Sequence, residues 1–88
     1  MSKNTDHTAA RLDTRGLPYT MSQLLDIAAK QPVTTAVILG KVQSFENSRN
    51  RDVVILIVRN GEPVTIFTRR ESQSFDKRNF DVQRIIYQ

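Results

Sequence analysis

The hydrophobic pattern divides the chain into segments of different period. In VTTAVILGKVQSF, residues 33–45, apolar side chains fall on both faces through Val37, Ile38 and Leu39. An apolar run of that length between polar segments predicts a strand in a central position. Gly40 interrupts it, and a lone glycine inside a strand marks a bulge or a sharp bend. The polar stretch ENSRNR, residues 46–51, predicts a loop. DVVILIVR, residues 52–59, follows with six consecutive apolar positions and no polar face, which predicts a strand buried on both sides.

Asn60-Gly61 comes next, and both residues tolerate the positive φ of a type I′ turn. A two-residue loop fixes the register of the hairpin into EPVTIFTRR. It sets Arg59 opposite Glu62, Val58 opposite Pro63, Ile57 opposite Val64, Leu56 opposite Thr65, Ile55 opposite Ile66, Val54 opposite Phe67 and Asp52 opposite Arg69. Opposite charges then meet at both ends, worth roughly 0.2–1 kcal/mol each. Ile55, Ile57, Val64 and Ile66 share one face in this register. Pro63 has no N–H to donate, which predicts that the third strand lies at a sheet edge.

LPYTMSQLLDIAAKQP has a different period. Met21, Leu24, Leu25 and Ala28 share a helical face. Thr20 is the expected N-cap, with Gln23 completing a capping box, and Gln31-Pro32 ends the helix. A helix of about three turns is not stable alone and must pack on the sheet. In the last segment Val82, Ile85 and Ile86 fit a helical stripe, whereas the composition of FDVQRIIY is strand-like; both a helix and a strand are open over 78–88, and a final strand is the favoured reading. Residues 1–16 hold one large aliphatic, Leu12, among polar neighbours. Composition predicts a flexible tail over 1–16 and a single domain over 17–88. The fold class expected is mainly β or α+β: a short N-terminal helix packed on a curved antiparallel sheet of three to four strands, an OB-like or small meander.

Charge and composition narrow the function. The 88 residues carry a net charge of +4, and the pI is about 10. A basic balance favours an anionic partner such as nucleic acid. The chain has no cysteine, so a disulfide framework and a thiolate metal site are ruled out. That fits a reducing cytoplasm. No apolar run reaches the length of a membrane span, and the first sixteen residues lack the apolar core of a secretory signal. His7 is the single histidine. Lying in the expected tail, it offers no fixed geometry for catalysis. No phosphate-cradling glycine loop is present. No catalytic residue, metal site or cofactor is expected.

The hairpin gives the basic residues a place. Antiparallel pairing sets the start of the second strand beside the end of the third. Arg49 and Arg51 lead into one, and Arg69 and Arg70 leave the other. Four guanidinium groups are therefore expected at the sheet end opposite the turn, with Phe45 arriving there from the first strand. Guanidinium pairs phosphate in a bidentate way, and an exposed aromatic stacks on bases. Lys77 and Arg78, with Arg84, form a second, looser basic group. The expected function is non-catalytic binding of single-stranded or loosely structured DNA or RNA. The alternative is a small protein-interaction or regulatory module that docks on a larger protein, or forms a homodimer, through the strand 62–69 edge.

Two families carry similar patterns. VTTAVILGKVQSFENSRNRDVVILIVRNGEPVTIFTRR resembles the opening half of an OB-fold nucleic-acid-binding domain: a strand with a mid-strand glycine, a polar loop, a long second strand and a tight hairpin. MSQLLDIAAKQPV and IVRNGEPVTIFTRRESQSF resemble the first helix and the hairpin of the prevent-host-death (Phd/YefM) antitoxin family. Asn60, Gly61, Glu62 and Pro63 fall in that family's signature region. About twenty residues separate the two pieces here, whereas they are adjacent in the family. The first resemblance implies nucleic-acid binding. The second implies an operator-binding dimer whose C-terminal segment neutralises a toxin.

Overall fold

Helices α1 (Lys3–Arg15) and α2 (Met21–Ala29) precede strands β1 (Thr35–Gln43), β2 (Arg51–Arg59), β3 (Glu62–Arg70) and β4 (Arg84–Tyr87). The computed structural model describes residues 3–43, 51–70 and 80–88. The strands form one open sheet in the order β3-β2-β1-β4. β1, β2 and β3 are antiparallel neighbours, whereas β4 runs parallel to β1. The domain is thus α+β with an antiparallel-rich sheet, as expected. The parallel β4 and a second helix are additions to that expectation.

The all-apolar β2 occupies the interior of the sheet. Val54 to Val58 are buried on both faces, at 2 % exposure or less. Each such side chain contributes roughly 1.5–3 kcal/mol by leaving water. Their even positions, Val54, Leu56 and Val58, join Leu12, Leu24, Ala28, Val37 and Ile66 in the core beneath the helices. Their odd positions, Ile55 and Ile57, form a second cluster with Ala36 on the other face. Phe67, Phe80 and Val82 pack against that cluster.

The turn forms at Asn60-Gly61, with φ of 54° and 75°. Arg59–Glu62 and Val58–Pro63 pair as expected. Beyond them the register departs from the uninterrupted one by one residue. Ile57 pairs with Thr65, Leu56 with Ile66, Ile55 with Phe67, Val54 with Thr68, and Asp52 with Arg70. Val64 is the extra residue of a bulge, and a bulge exchanges the faces of everything after it. The physical gain lies in Ile66. Without the bulge Thr65 would enter the helix-side core opposite Leu56, and Ile66 would turn away. With it Ile66 is fully buried in that core, while Val64 and Phe67 pack on the other face.

The bulge expected at Gly40 is present in β1, where the pairing with β2 shifts between Ile38 and Gly40. The Tyr19 hydroxyl lies 3.6 Å from where a Cβ on Gly40 would sit. Burial raises the Tyr19 phenol above its ordinary pKa of 10.0. The final strand forms at Arg84–Tyr87. The amides of Gln83 and Gln88 donate to the carbonyls of Thr34 and Ile38 at 2.9 Å each.

Helix α2 begins at the expected capping box. The Gln23 amide donates to Thr20 Oγ1 at 3.2 Å, and the Thr20 amide donates to Gln23 Oε1 at 2.9 Å. Leu24 and Ala28 are fully buried, with Met21 and Ile27 packed beside them. Leu25, expected on that face, is exposed, and Ile27 takes its place.

The flexible tail expected over residues 1–16 is not what forms from Lys3 onward: α1 is a 13-residue helix. Thr8 and Leu12, one turn apart, are buried. The helix ends in a Schellman motif. Gly16, at φ +58°, donates to the Asp13 carbonyl, and Leu17 donates to the Leu12 carbonyl, both at 3.2 Å. Leu12 and Leu17 enter the same core cluster, supplying the apolar contact of that motif. One aliphatic residue is enough because Gly16 brings a second one onto it.

Candidate functional site

Helix α1 packs along β3, the edge strand of the sheet. Thr8 and Leu12 are buried. His7, Arg11 and Arg15 are each one residue before or three residues after them, at i, i+4 and i+8 of the helix. That spacing puts all three on one face. They line a cleft of about 590 Å³ whose other wall is β3. Thr65, Phe67 and Arg69 contribute from the strand, and Phe80 closes one side. None of the described residues lining the cleft is acidic.

The strand wall is held in place by aromatic packing. Phe67 and Phe80 stack with ring centroids 5.3 Å apart and planes 16° from parallel. The Arg69 guanidinium carbon lies 5.6 Å from the Phe67 centroid, within cation–π distance. Phe80 is fixed in turn by Arg59, whose Nη2 donates to the Phe80 carbonyl at 2.9 Å. The ring pair thus positions Arg69 from beneath, and Arg59 secures the ring pair.

Two of the lining side chains each hold a covered nitrogen without a partner among the described residues. The Nε atoms of Arg15 and Arg69, one from each wall, are buried and have no hydrogen-bond partner among the described residues. A buried unpaired donor costs roughly 1–3 kcal/mol, and more when charged. Guanidinium groups at this density suit phosphate, which they bind through paired, charge-assisted hydrogen bonds. The Thr65 and Thr68 hydroxyls along the same wall are further donors. The volume falls in the range of small-ligand sites, about 300–1,000 Å³.

Of the residues singled out from the sequence, Arg69 is the one the structure sets in this cleft. Arg70 follows it on β3 and so occupies a register position of the opposite face, paired with Asp52. Arg51 pairs with Gln43 at the start of β2. Phe45, Arg49, Lys77 and Arg78 lie outside the described residues. Asp52, expected opposite Arg69, instead stands opposite Arg70, because the Val64 bulge moved the register. It is buried, with Oδ1 lacking a hydrogen-bond partner among the described residues. Arg84, grouped with the C-terminal basic residues, donates from Nη2 to Gln31 Oε1.

The polar composition of residues 1–16 hides His7, Arg11 and Arg15, because a segment with one large aliphatic predicts a tail and not a helical face. The signal that finds them is the C-cap pattern of Leu12, Gly16 and Leu17, which stops a helix, with Asp6 in its first turn. Once the segment is helical, the basic stripe follows from the spacing.

Comparison with protein-family models, with curated proteins and with solved structures returns no match. The geometry of the cleft is therefore the basis for reading its function. No helix among the described residues is long and apolar enough to cross a membrane.

Proposed function

We propose that the protein is a non-catalytic nucleic-acid-binding module, and that a single-stranded or loosely structured strand enters through the cleft between α1 and β3. One observation supports this most: Arg11, Arg15 and Arg69 converge from two elements on a cleft with no acidic lining among the described residues. Phosphate contacts supply most of the sequence-independent affinity of such modules, and they do so through guanidinium and ammonium groups. A volume of about 590 Å³ is in the range of sites that hold a small ligand, the size of a nucleotide unit of a flexible strand. Base-edge readout is not required, because a strand can be held by phosphates and by packing of bases against apolar walls.

Binding of an end-labelled hexathymidylate, followed by fluorescence anisotropy across a salt series, tests the reading. The dissociation constant should rise steeply with salt, as release of condensed counterions requires. Retention unaffected by salt, or no binding at low ionic strength, removes the proposal. A protein partner or second copy at the strand 62–69 edge is the competing arrangement. It would have to pack on or displace α1, which lies along that strand.

A further inference from the structure

We propose that the cleft is a discrete phosphate site in which one nucleotide unit bridges Arg15 and Arg69, and that filling it clamps α1 onto β3. This rests on the nucleic-acid reading for the source of the phosphate, but not for the site itself. The argument begins with what docks α1. Its large apolar contribution is Leu12, with Leu17 following the cap. Against this, the docked helix carries Arg11 and Arg15 four residues apart, an arrangement of like charges that disfavours a helix. It also brings both toward Arg69 on the facing wall. Docking without a counter-anion therefore sets like charges against each other across a cleft.

The two buried Nε donors sharpen the point. The Nε atoms of Arg15 and Arg69 carry a cost of desolvation with no acceptor in return, while each half-buried guanidinium belongs to a side chain that lines the cleft. An anion placed between the walls supplies acceptors to the guanidinium groups that line them and reverses the sign of the electrostatic contribution. A phosphate group does this with the right geometry, since its oxygens accept from two guanidinium forks at once. The rest of the cleft, the Phe67–Phe80 pair and the Thr65 hydroxyl, offers an apolar wall and a donor for the sugar or base attached to that phosphate. The ligand binds the docked form of α1 and not the undocked one. By linkage it must multiply the docking equilibrium constant by one plus the ratio of its concentration to its dissociation constant.

Amide hydrogen exchange on the full chain tests this, with inorganic pyrophosphate, thymidine bisphosphate and hexathymidylate as three probes. Saturating pyrophosphate should slow exchange of the α1 amides several-fold and leave those of α2 unchanged. Arg15→Gln and Arg69→Gln should each weaken pyrophosphate binding by about tenfold or more, as loss of a charge-assisted pair implies. Arg11→Gln, at an exposed position, should weaken it as well without threatening the fold. Lys30→Gln, whose side chain pairs with Asp26 on α2 at 3.7 Å, removes the same charge elsewhere and should bind as the parent does. Unchanged α1 exchange at saturation overturns the clamp. So does binding that Arg11→Gln and Lys30→Gln weaken equally, which would mark diffuse charge attraction. If pyrophosphate and thymidine bisphosphate protect α1 but hexathymidylate neither protects it nor competes, the clamp stands and the strand is not the source. If hexathymidylate binds while both small probes leave α1 unprotected, the strand reading survives and the clamp fails.

Discussion

The amide of Leu17 donates to the carbonyl of Leu12 across 3.2 Å, and the two side chains meet in one core. This contact stops α1 and seats it beside β3. It thereby builds one wall of the cleft. Gly16 makes the reversal possible at φ +58°. Gly16→Ala should therefore destabilise the protein by about 1 kcal/mol, the cost of a left-handed residue with a Cβ. Urea unfolding followed by circular dichroism measures it. No loss of stability would show that the cap is not what holds α1.

Leu12→Ala should cost roughly 2–3 kcal/mol, toward the lower end for a buried leucine, because a helix at the sheet edge relaxes more readily than an interior strand. The same variant should weaken oligonucleotide binding although Leu12 carries no charge. Affinity equal to the parent's would separate the cleft from α1.

The Val64 bulge decides which β3 residue supports the helices. Ile66→Ala should cost about 3 kcal/mol, as for a fully buried aliphatic. Val64→Ala, at a half-buried bulge position, should cost less than about 1.5 kcal/mol. The reverse ranking would favour the uninterrupted register.

Burial raises the Tyr19 phenol above 10.0. An acid whose folded pKa is raised binds its proton more tightly in the folded state, so its contribution is complete below the unfolded value. It is lost as pH rises from there through the folded value. Thermal unfolding of the parent should therefore lose more stability between about pH 9 and pH 11 than Tyr19→Phe does, given an unperturbed phenol near 10. Parallel losses would show that the phenol is not responsible.

Much of the sheet was legible because its signals are local. The unbroken apolar run of β2, the Asn60-Gly61 turn, the Gly40 bulge and the Thr20–Gln23 capping box each depend on neighbouring residues. What was not legible depends on tertiary competition. The Val64 bulge exists because the helix-side core takes Ile66 in preference to Thr65, and that core is assembled from α1, α2 and β1. Helix α1 was hidden by its polar composition, since its stability comes from one buried leucine, a cap and a strand fifty residues away. The candidate site followed the same division. Arg69 could be found from the hairpin, but its companions Arg11 and Arg15 could not be found without α1. Arg69 and Arg70, adjacent in sequence, were expected together, yet strand alternation assigns them to opposite faces.

Arg15→Gln and Arg69→Gln should each weaken hexathymidylate binding by about tenfold at low salt. Each should also lower the slope of log affinity against log salt by about 0.7 in magnitude, as for one phosphate contact on a single strand. Loss of affinity with an unchanged slope would mean that these side chains support the fold and do not touch phosphate.

The most direct test follows the arginine Nε–Hε resonances by NMR while an unlabelled hexathymidylate is titrated in. Those of Arg11, Arg15 and Arg69 should shift together, along with the backbone amides of α1 and of residues 65–69. Shifts confined to α2, to β4 or to Lys77 and Arg78, with these three resonances unmoved, would contradict the cleft between α1 and β3 as the binding surface.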